Sequence, residues 1–231
     1  MVSAIIPTYN DSKKIVEIID NLNKVKDITE IIVVDDGSKP EHKQVFESLS
    51  GVKLITHIVN QGKSQAMKTG FLASNGDLIM FVDADLSNMT ANYIQALIDP
   101  VKNAEYDMTI ALIGDKFDKI VNDLNLEFLK GTSGQRVIRK DLLNKHISIF
   151  DVYGYLIESE MNKVFFDKYK VTFVYLPNLS NELKVKKKGL IGLTMDIKMH
   201  TDIIKHIGIV EFTRQSKIIS KLPVLKPFEN I

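Results

Sequence analysis

Ile31-Ile32-Val33-Val34-Asp35-Asp36-Gly37-Ser38 sets four β-branched residues in unbroken succession before two carboxylates and a turn signal. A strand covered on one face alternates apolar and polar side chains. An unbroken apolar run belongs to a strand covered on both faces, the habit of parallel sheets. Working outward, Val2–Pro7 is a β-type run that Pro7 is expected to end. Val52–Ile55 is a shorter strand, and Leu78-Ile79-Met80-Phe81-Val82 is another buried one. Between them lie helical patterns. After the N-cap pair Asp11-Ser12, the residues Ile15, Ile18, Ile19, Leu22 and Val25 form an apolar stripe. Glu41–Leu49 and Ser64–Ser74 read as helices, as does Asn92–Val101, interrupted by Pro100. Strands alternating with helices predict an α/β fold, a mostly parallel, Rossmann-like sheet with helices on both faces.

The second half is less regular. Met108–Ile113, Arg136–Arg139 and Val171–Leu176 read as strands, Lys116–Leu129 and Tyr155–Phe166 as helices. Leu190–Ile207 reads as an amphipathic helix ending at Gly208. The division expected is a catalytic domain over 1–183 and a basic, helical extension over 184–231, part of the same domain or facing a membrane.

With 231 residues, 45% of them hydrophobic, the chain can build a core of ordinary domain size. The absence of cysteine excludes a disulfide scaffold, a thiolate zinc site and a cysteine nucleophile. Met1–Pro7 has no basic n-region, and no uncharged run reaches the roughly 18 residues of a spanning helix. A cytoplasmic protein is therefore expected. A formal net charge of +1 argues against nucleic acid as a partner. That sum hides an asymmetry: residues 1–183 carry 20 basic and 25 acidic side chains, residues 184–231 carry 10 basic and 4 acidic ones. A tail of that sign is either a solvated end or a surface for an anionic partner.

In open α/β sheets, ligands bind beyond the carboxyl ends of the strands. Three such ends are polar here: Pro7-Thr8-Tyr9-Asn10-Asp11, Asp35-Asp36-Gly37-Ser38 and Asp83-Ala84-Asp85. In an extended segment Asp83 and Asp85 lie on one side and can approach one hard cation, Mg2+ or Mn2+. The alternative is a solvated turn. Asp36 could accept hydrogen bonds from a base ring, with Ser38 in support. Asn60-Gln61-Gly62-Lys63-Ser64 precedes a helix, where Lys63 suits a bound anion. It is no P-loop, since the required glycine is His57. His42, His57, His146, His200 and His206 have no metal-ligand spacing.

Ile5-Ile6-Pro7-Thr8-Tyr9-Asn10, Ile32–Ser38, Asn60-Gln61-Gly62-Lys63 and Asp77–Leu86, in this order and spacing, resemble the glycosyltransferase family 2 domain of GT-A fold. Asp83–Ser87, Ser133-Gly134-Gln135-Arg136 and Tyr155–Met161 look most like the dolichyl- or polyprenyl-phosphate sugar synthases. The resemblance implies a UDP- or GDP-linked sugar donor. Pro7, Thr8, Tyr9 and Asp11 (Glu in most relatives) would line the nucleoside pocket, with Asp36 reading the base, and Ser38, Lys63 and Ala84 would complete the donor site. Asp83 would face the ribose and metal, and Asp85 and Ser87 would belong to the metal shell. Glu158 and Glu160 lie about 200° apart on a helix, so one should face the cleft; Glu160 is favoured as the catalytic carboxylate. Arg136, Arg139, Lys187 and Lys188 would hold an acceptor phosphate, Arg136 also acting in catalysis. Lys184–Gly192 replaces the Arg-x-Gly-x-Ser-Lys type motif of the synthases. The implied reaction is an inverting, metal-dependent sugar transfer to a polyprenyl phosphate at the inner membrane face. A hydroxyl acceptor and a catalytically silent nucleotide-sugar-binding module are the alternatives.

Overall fold

The computed structural model describes residues 1–113, 127–181 and 190–228. Ten strands occur among these: β1 (Val2–Thr8), β2 (Ile28–Asp35), β3 (Lys53–Thr56), β4 (Leu78–Phe81), β5 (Leu86–Ser87), β6 (Met108–Ile113), β7 (Arg136–Arg139), β8 (Val171–Leu176), β9 (Ser180–Asn181) and β10 (Val224–Leu225). Eight of them form one sheet in the order β10-β8-β6-β7-β4-β1-β2-β3, and β5 pairs with β9 apart from it. Only β7 runs against its neighbours β4 and β6.

The two-sided burial read from the sequence is present. All seven residues of β1 and the last five of β2 are buried. Side chains of β1 alternate between two cores. Val2, Ala4 and Ile6 meet the helices Ile15–Asn23 and Ala91–Lys102 on one face. Ile5 meets Ala66, Met67 and Phe71 of the helix Lys63–Leu72 on the other. Gly70 lets that helix lie close on the sheet, since a Cβ there would collide with the Ile5 side chain. Each large side chain so covered is worth roughly 1.5–3 kcal/mol.

Pro7 does not end β1, which continues to Thr8. In a parallel strand alternate residues bond to opposite neighbours. Thr8 O accepts from Asp36 N of the β2 side, whereas Ile5 O accepts from Val82 N of the β4 side. Pro7 shares the phase of Ile5, and β4 pairs only as far as Ile5. Its missing N–H therefore costs no ladder bond. Likewise the helix Ala91–Lys102 runs through Pro100, which falls in its last turn.

The chain beyond residue 190 completes the same core. Ile203 and Ile219 of the helical segment Leu190–Ile219 are buried beside Phe165 and Met161. Gly208 breaks that segment with φ 79°, where the sequence places the helix end. β10 then adds the eighth strand beside β8. No described helix is long and apolar enough to cross a membrane. The expected helix Lys116–Leu129 lies mostly outside the described residues, as do Lys187 and Lys188.

Candidate active site

Strand order reverses at β1, with β2 and β3 on one side and β4 on the other. The loops after β1, β2 and β4 therefore converge, and the residues expected at the site divide there.

The first loop is tied to the second. Asn10, in the left-handed region at φ 53°, donates its N–H to Ser38 Oγ at 2.8 Å. Its Oδ1 accepts from Lys39 N at 2.8 Å, and Thr8 Oγ1 donates to Asp11 O at 2.7 Å. This presents Tyr9 to solvent at 52% exposure above the buried Pro7 and Thr8. Ser38 thus serves the loop after β1, rather than Asp36.

Asp36 does not present a free edge to a base. It is buried, and all four contacts of its carboxylate come from one neighbouring loop. Oδ1 accepts from Gln61 N at 2.9 Å and lies 2.7 Å from His57 Nδ1, which must donate because a carboxylate only accepts. Oδ2 accepts from Gly62 N at 2.8 Å and from Asn60 Nδ2 at 2.9 Å. Asp36 is a clamp on residues 57–62, which corrects its expected base-reading role. Gly37, at φ 77°, permits the approach: a Cβ there would sit 2.7 Å from Asn60 N. The open acceptor is its neighbour. Asp35 Oδ1 accepts from Ser38 N, but its buried Oδ2 has no hydrogen-bond partner.

The clamped loop leads into Lys63, first residue of its helix. Lys63 Nζ lies 2.7 Å from Asp83 Oδ1 and 2.6 Å from Glu158 Oε1. Gln135 Nε2 donates to Asp83 Oδ2 at 2.7 Å, and Ser133 Oγ holds Gln135 through its Oε1 at 2.9 Å. Gly134 is required by this closeness, since a Cβ would stand 2.5 Å from Asp83 Oδ2. Burial works against the charge on Lys63. The Asp83 and Glu158 carboxylates outweigh it and hold the ammonium above the ordinary lysine range.

Four further expectations are corrected by geometry. Asp83 and Asp85 are not in one extended segment: β4 ends at Phe81, and Ala84-Asp85 form a turn leading into β5. Asp85 and Ser87 are half-buried there, and Ala84 is buried. Of the two glutamates, Glu158 faces Lys63, while Glu160 lies 3.3 Å from His206 and 3.6 Å from Lys163. Arg136 is fully buried and reaches no cleft surface. Its Nε donates to Ser133 O at 2.8 Å, one terminal nitrogen to Asn162 Oδ1 at 2.8 Å and the other to Gly131 O at 2.6 Å. Burial pushes its pKa down to about 10, against the pull of the Glu158 and Asp83 charges, so it stays cationic at neutral pH. Arg139 is at the wrong end of the sheet. Because β7 is antiparallel, Arg136 faces Phe81 at the end of β4 and Arg139 faces Leu78 at its start, roughly 10 Å away along the strand.

Among the described residues no group of three or more His, Asp or Glu side chains could hold a metal ion. A hard cation shared with substrate phosphates needs only one or two carboxylates, and the donor set of Asp83 and Asp85 fits that requirement.

The fold is of GT-A type. The crystal structure of glucosyl-3-phosphoglycerate synthase from Mycobacterium tuberculosis with Mn2+, uridine-diphosphate and glucosyl-3-phosphoglycerate superposes with a TM-score of 0.64. The match covers 84% of this chain and 79% of that one at 19% identity. The family model described as glycosyl transferase family 2 matches residues 3–165, and the chain belongs to that family. Dolichol-phosphate mannosyltransferase of Pyrococcus furiosus is 35% identical over 126 residues, 52% of this chain and 35% of that protein. Glucosyl-3-phosphoglycerate synthase of Mycobacterium tuberculosis is 26% identical over 113 residues, 45% and 35% respectively. The matched stretches span about a third of those relatives' own length.

Proposed function

We propose that this chain transfers a sugar from a UDP- or GDP-linked donor to a polyprenyl phosphate at the cytoplasmic face of a membrane. The observation that carries the proposal is the pairing of Lys63 with Asp83 at the strand-order reversal, with Asp85 in the turn just beyond, where ligands of such sheets bind. Tyr9, with Pro7, Thr8 and Asp11, forms one wall of the nucleoside pocket, and Asp35 Oδ2 is the buried acceptor in reach of that loop. Mg2+ or Mn2+, held by Asp83 and Asp85 with Ser87 nearby, would neutralise charge developing on the leaving diphosphate. Lys63 adds a cation on the same side. In the displacement, the acceptor oxygen forms a bond to the anomeric carbon as the bond to the diphosphate breaks. The electron pair leaves with the nucleotide.

Glu160, favoured as the base, and its alternative Glu158 are both engaged, Glu158 by Lys63 and Glu160 by His206 and Lys163. A phosphate monoester needs no base, being largely ionised at neutral pH. This favours it over a hydroxyl, as does the name of the Pyrococcus relative. The basic stretch 184–188 supplies charge suited to an anionic lipid surface.

Thermal-shift measurements with UDP, GDP, UDP-glucose and GDP-mannose, each with Mn2+, test the donor half. A specific binder raises the melting temperature by mass action, and no shift with any of the four overturns the site assignment. Transfer of radiolabelled sugar to polyprenyl phosphate tests the acceptor half. Labelling of 3-phosphoglycerate instead would replace the lipid phosphate with a hydroxyl acceptor. Binding without any transfer would leave a silent nucleotide-sugar-binding module.

A further inference from the structure

We propose that Lys63 is a resident counter-ion for Asp83, so that a divalent cation settles there only together with a diphosphate that draws Lys63 away. The inference rests on the donor-site reading above in its second half and on the ion pair alone in its first.

Both carboxylate oxygens of Asp83 are already used. Oδ1 faces Lys63 Nζ at 2.7 Å and Oδ2 accepts from Gln135 Nε2 at 2.7 Å. The charges around Asp83 are also matched: the carboxylates of Asp83 and Glu158 interact with the cations of Lys63 and Arg136. Bare Mn2+ would have to compete with an ammonium for the same Asp83 oxygen. A nucleoside diphosphate carries more negative charge than one divalent cation neutralises, so the two arrive as a net anion. That anion offers Lys63 a new partner and frees Asp83 Oδ1.

The machinery for the exchange is local. Backbone motion is checked, because Asp36 holds Gln61 N and Gly62 N immediately before Lys63. The flexible four-carbon stem of lysine can still swing its charge. The helix Lys63–Leu72 has no acidic residue in its own first turn, so none of its first side chains repels an incoming anion. Glu158 keeps a second hold on Lys63 while Asp83 changes partner.

Electron paramagnetic resonance of free Mn2+, titrated against metal-stripped full-length protein, reads the competition directly. Without nucleotide, Lys63→Met should bind Mn2+ about tenfold more tightly than the wild type, having lost the competing ion. Adding Asp83→Asn should remove that gain. Equal or weaker Mn2+ binding by Lys63→Met overturns the inference, as does a gain that survives Asp83→Asn. Should the unpaired Glu158 unfold Lys63→Met, the same comparison is made with Lys63→Met/Glu158→Gln, which removes the stranded charge. With UDP or GDP present, wild-type Mn2+ affinity should rise by about tenfold and that of Lys63→Met by much less. If neither nucleotide changes wild-type affinity while the first arm succeeds, the donor-site reading falls and the ion competition stands.

Discussion

At the carboxyl end of β4, Lys63 joins Asp83 to a buried Glu158, and the fully buried Arg136 lies within range of both carboxylates. At the amino end of the same strand, Arg139 pairs with Asp141 at 3.1 Å, their side chains 43% and 48% exposed. Lys102 there meets Asp27 at 2.8 Å. The two ends use the same residue types. What differs is the water around them, and with it the consequence of removing a partner. In the open, a stranded ion is rehydrated; inside, it is left bare.

That contrast can be broken at Arg136. Arg136→Met should lower stability by about 4 kcal/mol in urea denaturation, because it strips a buried cation from two carboxylates and three hydrogen-bond acceptors. A cost below 1 kcal/mol would place Arg136 with Arg139 and erase the distinction. Asp36→Asn comes next, at about 3 kcal/mol, since an amide turns a donor toward groups that are themselves donors. It should also abolish nucleotide-induced thermal shifts while the loop is loose. Gly134→Ala follows at about 2 kcal/mol by overpacking, with Asp83 pushed off Lys63 and Mn2+–nucleotide binding lost. At the other end, Arg139→Met should cost about 0.5 kcal/mol once solvent screening is counted.

The smallest effect is a pH dependence. Hydrogen bonds from Lys102 and then Gln95 hold the Asp27 carboxyl below its ordinary value of 3.8. A carboxyl depressed in the folded state stabilises above its unfolded pKa, and the contribution is lost as pH falls through the folded value. Asp27→Asn should therefore lower stability slightly at neutral pH, where the contribution is present, and converge on wild type well below about pH 4, which flattens the acid limb of the stability curve. An unchanged acid limb would mean the pair contributes nothing even there.

The strands of the first half were legible because burial on two faces writes itself as an uninterrupted apolar run, as in Ile31–Val34. The three polar strand ends were legible for the same reason: a carboxylate directly after such a run has few places to go. Partnerships were not. Whether Glu158 or Glu160 faces the cleft depends on helical phase, which is set by the turn Gly154–Leu156 before the helix Ile157–Lys168. Arg136 and Arg139 look equivalent until the direction of β7 is known. Asp36 resembles a ligand group until residues 57–62 fold over it. His57, Asn60 and Gln135 acquire their roles only through contacts from 21, 24 and 52 residues away. No local pattern announces them.

β10 gives the architecture a temporal side. The eighth strand comes from residues 224–225, so the edge of β8 at Phe173 and Val174, both buried, stays open in the growing chain until those residues have been made. An apolar edge of that kind recruits other chains. Premature release upstream of Val224 should therefore yield aggregating fragments instead of a shortened working protein.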